Sequence, residues 1–264
     1  MIKIASYNVN SIRSRTRLIR LWLEHRNHDI DMLCMQEIKA TREQFPFEFF
    51  NELGFQCQIN PQKHYNGTGI CSKFPALDTT IETGDEILDA QSRFIYQKYP
   101  GFHLINIYAP HGDLPPSNKF DFKIHWYERL LIWINSRFNP QKDKIILCGD
   151  FNVTFNDRDV YDPVLLNNSI GTLPEERAKL HALIQWGFLD AFRLIHPDKQ
   201  QFTWWDYQGA KIWKNQGLRI DHILITTPLK ENLMNVEVDL WPRRKNKIKP
   251  SDHAPIIASF KNLI

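Results

Sequence analysis

The sequence predicts a strand-rich, layered α/β protein. Three observations lead there. Short runs rich in Ile, Leu, Val and aromatic residues recur along the whole chain at strand length. Helical periodicity appears between only some of them. Several runs end in polar, loop-like residues instead of turning tightly into a helix, which argues against a Rossmann sheet or a TIM barrel. Two sheets packed face to face with helices outside fit this pattern, although periodicity alone does not choose it.

The elements follow in order. Strands are predicted at Ile2–Val9, Ile30–Gln36, Gly69–Ser72, Phe94–Lys98, His103–Ala109, Lys144–Cys148, Ile220–Thr226 and Ile256–Phe260. A first helix carries Leu18, Leu21, Trp22 and His25 on one face, and a second repeats Phe122, Trp126, Leu130 and Ile134 every four residues. A third begins at "TLPEER", where Thr172 with Glu175 predicts a capping box, Pro174 suits the first turn and Gly187 ends the helix. No repeat, low-complexity tract or Gly/Ser-rich linker divides the chain, so residues 1–264 read as one domain.

Composition narrows the class. With 264 residues the chain can bury a substantial core, and 42% hydrophobic with 24% charged residues is ordinary for a soluble globular protein. No stretch of membrane-spanning length is apolar throughout, and "MIKIASYNVN" reads as a strand rather than a secretory signal, so a cytoplasmic location is expected. The four cysteines form no C-x-x-C pair, and Cys34 and Cys148 sit in apolar runs; reduced thiols are expected, and no zinc site. A net charge of +3 leans only slightly toward a polyanionic partner. The clusters "RSRTRLIR" and "RRKNKIK" are explained as well by solvated faces.

The strand ends carry the chemistry. Asn8 and Asn10 share a face with Ile2, Ile4 and Ser6, and "DMLCMQEIK" ends at Gln36 and Glu37. Asn106 shares a face with Tyr108, and Asp150 with Asn152 in "CGDFNV". Asp221 interrupts an apolar strand, and Asp252 and His253 precede the last one, pointing to opposite sides and hence to different roles. An acid at one strand end is ordinarily a turn or cap residue. Crowding polar groups at six strand ends is costly unless a cation or a shared proton relieves it. Glu37, Asp150 and Asp252 with amide oxygens of Asn8 and Asn152 form an all-oxygen set that suits magnesium or manganese.

The segments "SYNVNSIR", "MLCMQEIK", "NIYAPHG", "CGDFNV", "GLRIDHIL" and "PSDHAPI" occur in the order of the exonuclease III family. "DAQSRFI", "DRDVYDP", "LPEERAKL" and "FTWWDY" extend the likeness over nearly the whole chain. The sequence therefore resembles apurinic/apyrimidinic endonucleases of the endonuclease/exonuclease/phosphatase superfamily. The resemblance implies a four-layer αββα sandwich with two central mixed β-sheets. It implies metal-dependent hydrolysis 5′ to an abasic site in duplex DNA, leaving a 3′-hydroxyl, with 3′→5′ exonuclease and 3′-phosphatase or phosphodiesterase activity. The precedent is a monomer acting on double-stranded DNA with abasic or blocked 3′ ends, with no obligate protein partner.

By that resemblance, Glu37 leads the metal ligands, Asn8 and Asp252 complete or orient the site, and Asp150 and Asn152 join it. Asp150 positions and deprotonates the attacking water, and Asn152 orients it; Gly149 gives the backbone room to present the pair. His253, held by Asp221, donates to a phosphate oxygen. Tyr108 binds the phosphate or assists the leaving group. Trp204 and Leu218 wall a pocket for the base-less sugar, while Trp205 reads as core. Arg13, Lys39 and Arg93, with the "RRKNKIK" loop, are expected on DNA phosphates, and His111 near the phosphate. Ser11, Ile38 and His111 depart from the usual residues, which bears on the balance of activities. The competing reading for Asp221 is a salt bridge to Arg219. Two other functions remain open: a non-specific nuclease or phosphatase of the same superfamily, and a non-catalytic regulatory protein like the catabolite repression control proteins.

Overall fold

The computed structural model describes residues 1–244 and 248–264. Along the chain run β1 (Ile2–Asn8), α1 (Thr16–His25), β2 (Met32–Gln36), α2 (Phe47–Glu52), β3 (Gln56–Asn60), β4 (Thr68–Ser72), β5 (Asp78–Thr80), α3 (Glu86–Asp89), β6 (Phe94–Tyr99) and β7 (Phe102–Tyr108). There follow α4 (Asn118–Arg137), β8 (Ile145–Asp150), α5 (Pro174–Trp186), β9 (Phe188–Asp190), α6 (Ala191–Ile195), β10 (Asp221–Thr226), β11 (Leu233–Val238) and β12 (Ile256–Phe260). They form two six-stranded sheets, ordered β11-β12-β1-β2-β4-β3 and β5-β6-β7-β8-β10-β9. Both sheets are mixed: β1 pairs with β2, and β7 with β8, in parallel, and the other pairings are antiparallel.

Strand alternation builds the layers. Ile2 and Ile4 of β1, Met32 and Cys34 of β2, Leu104 of β7, Ile146 and Cys148 of β8 and Ile223 and Ile225 of β10 meet in one core between the sheets. Their neighbours face outward. Tyr7, Leu33 and Met35 pack against Ile19 and Trp22 of α1 and Phe50 of α2. Ile105, Ile107 and Leu147 pack against Trp126 and Leu130 of α4 and Leu180 and Leu183 of α5. The result is a four-layer αββα sandwich.

All eight predicted strands are present. The four that were missed, β3, β5, β9 and β11, are the four sheet edges. Edge strands are short and half wetted, so their sequences lack the apolar density that marks a buried strand; β5 has no buried residue. Three local expectations are corrected. In α1 the core face is Leu18, Ile19, Trp22 and Leu23, with Leu21 only partly buried. The start of α5 is capped at Leu173, and it is Glu176, not Glu175, that reaches back, accepting from the Gly171 N–H at 2.6 Å and the Leu173 N–H at 3.4 Å. Thr172 instead bonds the loop carbonyl of Ser169 at 2.9 Å. Finally, Cys57 and Cys71 are not reduced thiols. They stand directly opposite each other on β3 and β4, Cα atoms 4.0 Å apart, and are joined by a disulfide. Cys34 and Cys148 are free and buried.

Gly149 fixes the end of β8. At φ 147° it occupies backbone space that favours glycine, and a Cβ there would lie 1.9 Å from the Ile107 carbonyl oxygen. Gly149→Ala should cost roughly 3 kcal/mol or more, a fall of roughly 6 °C or more in Tm, measured by thermal unfolding. Thiol titration of the denatured protein should find two reactive cysteines before reduction and all four afterwards.

Candidate active site

One end of the inter-sheet layer is polar. The positions that continue the inward face past the core are Ser6 and Asn8 on β1, Gln36 on β2, Asn106 and Tyr108 on β7, Asp150 on β8 and Asp221 on β10. The ladders align them: Asn8 lies opposite Gln36, and Asp150 lies between Tyr108 and Asp221. Past the strand ends the chain adopts left-handed conformations at Asn10, Ser11, Glu37, Lys39 and Asn152 (φ 43° to 85°). Such strain in residues with side chains persists only where surrounding structure imposes it, and it clusters at functional sites.

These residues surround a cleft of about 280 Å³ lined by Glu37, Tyr108, His111, Asp150, Asn152, Trp204, Leu218, Asp252 and His253, with Ile170, Gly171 and Ile220. Asn8 lies beneath it, its amide donating to Glu37 Oε1 at 2.8 Å and Asp150 Oδ2 at 2.9 Å. The Asn152 N–H donates to Asp150 Oδ1 at 2.9 Å, and its side chain is anchored on the Ala109 carbonyl. His253 Nδ1 is 2.8 Å from Asp221 Oδ2, and its Nε2 is 3.7 Å from Asp150 Oδ2. The competing pairing of Asp221 with Arg219 does not form. Arg219 bonds Asp159 and Asp190 instead.

Asp252 lines the cleft beside His253 with partners of its own. It accepts from the Asn10 amide at 3.0 Å and from the Trp204 indole at 3.1 Å. Trp204 and Leu218 exchange backbone hydrogen bonds of 3.0 Å in both directions, which makes an apolar corner beside the acids. Trp205 is fully buried in a cluster with Phe202 and Ile212. The basic residues are more dispersed. Lys39 pairs with Glu37 Oε2 at 2.6 Å and donates to Asn10 at 2.8 Å. Arg93 is largely buried behind the cleft, 4.5 Å from the Tyr108 ring centre and donating to the Tyr108 carbonyl at 3.1 Å. It also lines an adjoining hollow of about 390 Å³ shared with His111 and Lys119. Arg13 is exposed on the turn after β1. Of the "RRKNKIK" loop, Arg243 is buried on the Asp252 and Trp205 carbonyls, and Lys245, Asn246 and Lys247 lie outside the described residues.

The electrostatics follow from crowding. Burial pushes the Asp150 carboxyl up to about 7, opposed by His253 and reinforced by Asp221 and Glu37. Burial by itself would hold His253 down, but Asp221 and Asp150 outweigh it and pull the imidazole up to about 10. Burial raises Glu37, yet Lys39, the Asn8 amide and His253 together more than offset it and leave that carboxyl low. Burial and the two carboxylates of Glu37 and Asp150 keep the Tyr108 phenol protonated. The donor set fits a hard divalent cation. Glu37, Asp150 and His253 each bring one ligand atom within 4.8 Å of the others. An imidazole held in the protonated form is no ligand, so the carboxylate oxygens of Glu37 and Asp150 are left for the ion. Asp252 and Asn8 border them.

The sequence reading did not single out Ile170, Gly171 or Ile220 as cleft residues, nor the roles of Gln36 and Asn106. Gln36 Nε2 donates to Asn106 Oδ1 at 2.6 Å and to Ser6 at 3.0 Å, while Asn106 donates to the Met35 and Gly69 carbonyls. This network ties the two sheets together directly beneath Glu37 and Tyr108. Its only trace in the sequence is a polar residue at an inward strand position.

Known proteins share this fold. A model of the endonuclease/exonuclease/phosphatase family matches residues 5–253. Exodeoxyribonuclease III of Haemophilus influenzae is 32% identical over 274 residues, covering 98% of this chain and 100% of the relative. An AP endonuclease structure from Archaeoglobus fulgidus superposes with a TM-score of 0.93 at 34% identity, covering 99% of this chain and 100% of the other. A 3′ phosphatase from Neisseria, bound to a product DNA hairpin, does so with a TM-score of 0.92 at 33% identity, covering 99% and 100%. With its two-sheet sandwich and the acids, amides and histidine gathered at one end of it, this chain belongs to the endonuclease/exonuclease/phosphatase family.

Proposed function

We propose that the protein is a DNA-repair nuclease that hydrolyses the phosphodiester 5′ to abasic sites in duplex DNA, leaving a 3′-hydroxyl. Exonuclease action from 3′ ends and removal of 3′-blocking groups take place in the same cleft. The observation that carries this reading is the Asp221–His253–Asp150 row facing Glu37, with the apolar Trp204–Leu218 corner beside it. The relatives named exodeoxyribonuclease III, AP endonuclease and 3′ phosphatase support it.

Magnesium, or manganese in its place, held by Glu37 with Asp150 and bordered by Asn8 and Asp252, would supply neutralising charge for the phosphate. The chain's own groups do the rest. His253, kept protonated by Asp221, donates to a non-bridging phosphate oxygen and stabilises the charge that grows there. Asp150, held by the Asn152 N–H, orients a water and takes its proton. Tyr108 donates to the phosphate or the leaving oxygen, with Arg93 fixing its ring from behind. The apolar Trp204–Leu218 corner favours a base-less sugar, which is also cheaper to extrude from the stack. Arg13, Lys39 and His111 contact phosphates along the strand. No helix among the described residues is long and apolar enough to cross a membrane. A cytoplasmic monomer of one catalytic domain, residues 1–264, acting on duplex DNA without an obligate protein partner, completes the reading.

The deciding experiment is product analysis on an end-labelled abasic duplex. Incision 5′ to the lesion with a 3′-hydroxyl is expected with Mg²⁺ and none with EDTA; equal cutting of an intact duplex would favour a non-specific nuclease. Asp150→Asn should lose roughly 10²–10⁴-fold in kcat, yet keep or raise Tm because it relieves crowded carboxylates. Wild-type turnover in that variant removes the general-base assignment. Glu37→Ala should abolish Mg²⁺-dependent cleavage and weaken Mn²⁺ binding in calorimetry, while circular dichroism stays unchanged. Trp204→Ala should narrow the preference for abasic over intact duplex more than it weakens DNA affinity, read by competition between the two substrates.

A further inference from the structure

Two charged side chains that this chemistry does not use are sealed into the wall of the cleft. Lys123 of α4 and Glu176 of α5 are both 0% exposed, with Nζ 2.6 Å from Oε1. The ammonium has two further acceptors, the carbonyls of His111 at 3.0 Å and Asn152 at 2.9 Å, so its three protons are all used. The other Glu176 oxygen accepts from the Gly171 and Leu173 amides. The pair therefore joins three stretches of chain where the β-ladders have already ended: the turn after β7, the turn after β8 and the loop before α5. His111, Asn152 and Gly171, one from each stretch, line the cleft. The packing is close, since a Cβ on Gly112 would fall 2.8 Å from Lys123 Cδ.

Stability does not account for such a pair. Desolvating two charges offsets most of their attraction, and an apolar pair of similar volume often serves as well or better. What an apolar pair cannot do is hold two carbonyls and two amides at set positions. That matters most at Asn152, whose left-handed backbone (φ 52°) needs outside support. The amide of Asn152 holds Asp150 Oδ1 at 2.9 Å, so the Lys123 grip on the Asn152 carbonyl reaches Asp150 through a single residue.

We infer that Lys123 and Glu176 are positioning residues, which set the His111–Asn152–Gly171 wall against the reacting phosphate and on which turnover depends beyond any effect on folding. The inference rests on the nuclease reading above for its kinetic consequence.

The test is the apolar double variant Lys123→Met/Glu176→Leu. Its Tm should fall by roughly 10 °C or more, since up to four backbone groups lose their partners, with folding at 25 °C retained. Its kcat on an abasic duplex should fall roughly 10²-fold, as expected when reacting groups are displaced by about an ångström, with KM changed by less than about threefold. Hydrogen exchange followed by mass spectrometry should show faster exchange at residues 169–173. Adding back an acceptor in Lys123→Met/Glu176→Gln should restore protection at the Gly171 and Leu173 amides and recover part of the lost kcat. The inference is overturned by a kcat within about twofold of the wild type, by a loss carried in KM alone, or by unchanged exchange. Should the first variant not fold, the Met/Gln variant decides, with a loss of about tenfold in kcat expected and wild-type turnover overturning the inference. A wild-type protein that leaves the abasic duplex uncut would sink the nuclease reading instead, and the exchange measurement, which needs no substrate, still judges the pair.

Discussion

Period-two alternation in a sheet sandwich obliges every second side chain of the central strands to enter the gap between the sheets. Over most of that gap the entrants are Ile, Leu, Met, Cys and Phe. At one end they become Ser6, Asn8, Gln36, Asn106, Tyr108, Asp150 and Asp221. The same geometric rule that makes the core thus delivers the polar groups to one place, in register and stripped of most of their water. Carboxylates so placed repel one another in a poorly screened medium, so neutralisation by a proton, a cation or hydrogen bonds is a condition of their coexistence. His253, Lys39 and the Asn8 amide meet part of it within the chain itself.

The scaffold that holds this arrangement is costly backbone supported by buried polar bonds. Gly149 permits the approach of β8 to Ile107, and Glu37, Lys39 and Asn152 sit in left-handed conformations next to the acids. Beneath them the Gln36–Asn106 bond crosses between the sheets. To one side Arg219, fully buried, binds Asp159 through two hydrogen bonds of 2.8 and 2.9 Å and Asp190 through another of 2.8 Å. Arg219 lies between Leu218 and Ile220 in the chain, so this clamp fixes two residues of the cleft lining. Networks of this kind are expensive when half satisfied; most polar groups here are paired, but Gln36 Oε1 and Asp221 Oδ1 are buried without a hydrogen-bond partner.

Chemistry and selection occupy adjoining parts of one cleft. In the proposed reading the acids and His253 face the phosphate, while Trp204 and Leu218 present an apolar surface to the sugar. Asp252 joins the two parts, since its carboxylate bonds both Asn10 and the Trp204 indole. A cleft of this shape gains little from sequence-specific contacts. The proposed substrate, a lesion defined by something missing, would draw its affinity from the phosphate backbone.

The central strands and the acids at their ends were legible from the sequence because both follow from alternation, a purely local property. Glu37 and Asp150 could be named from their place after apolar runs and His253 from its place before the last strand, and the motifs in family order supplied their partnership. The edge strands were not legible, since half-exposed β3, β5, β9 and β11 carry no dense apolar signal. Nor was the Cys57–Cys71 bond, which depends on the register of one edge pairing. Glu176 was read past in favour of Glu175, because a capping pattern cannot say which of two adjacent acids turns inward. The sequence reading passed over Lys123, and only the packing of α4 beside α5 brings it to a carboxylate 53 residues away in sequence. Residue types and their periods determine which side of a strand a group occupies. Which groups then meet depends on the packing of distant segments, and that packing alone turned scattered acids, amides and lysines into a single site.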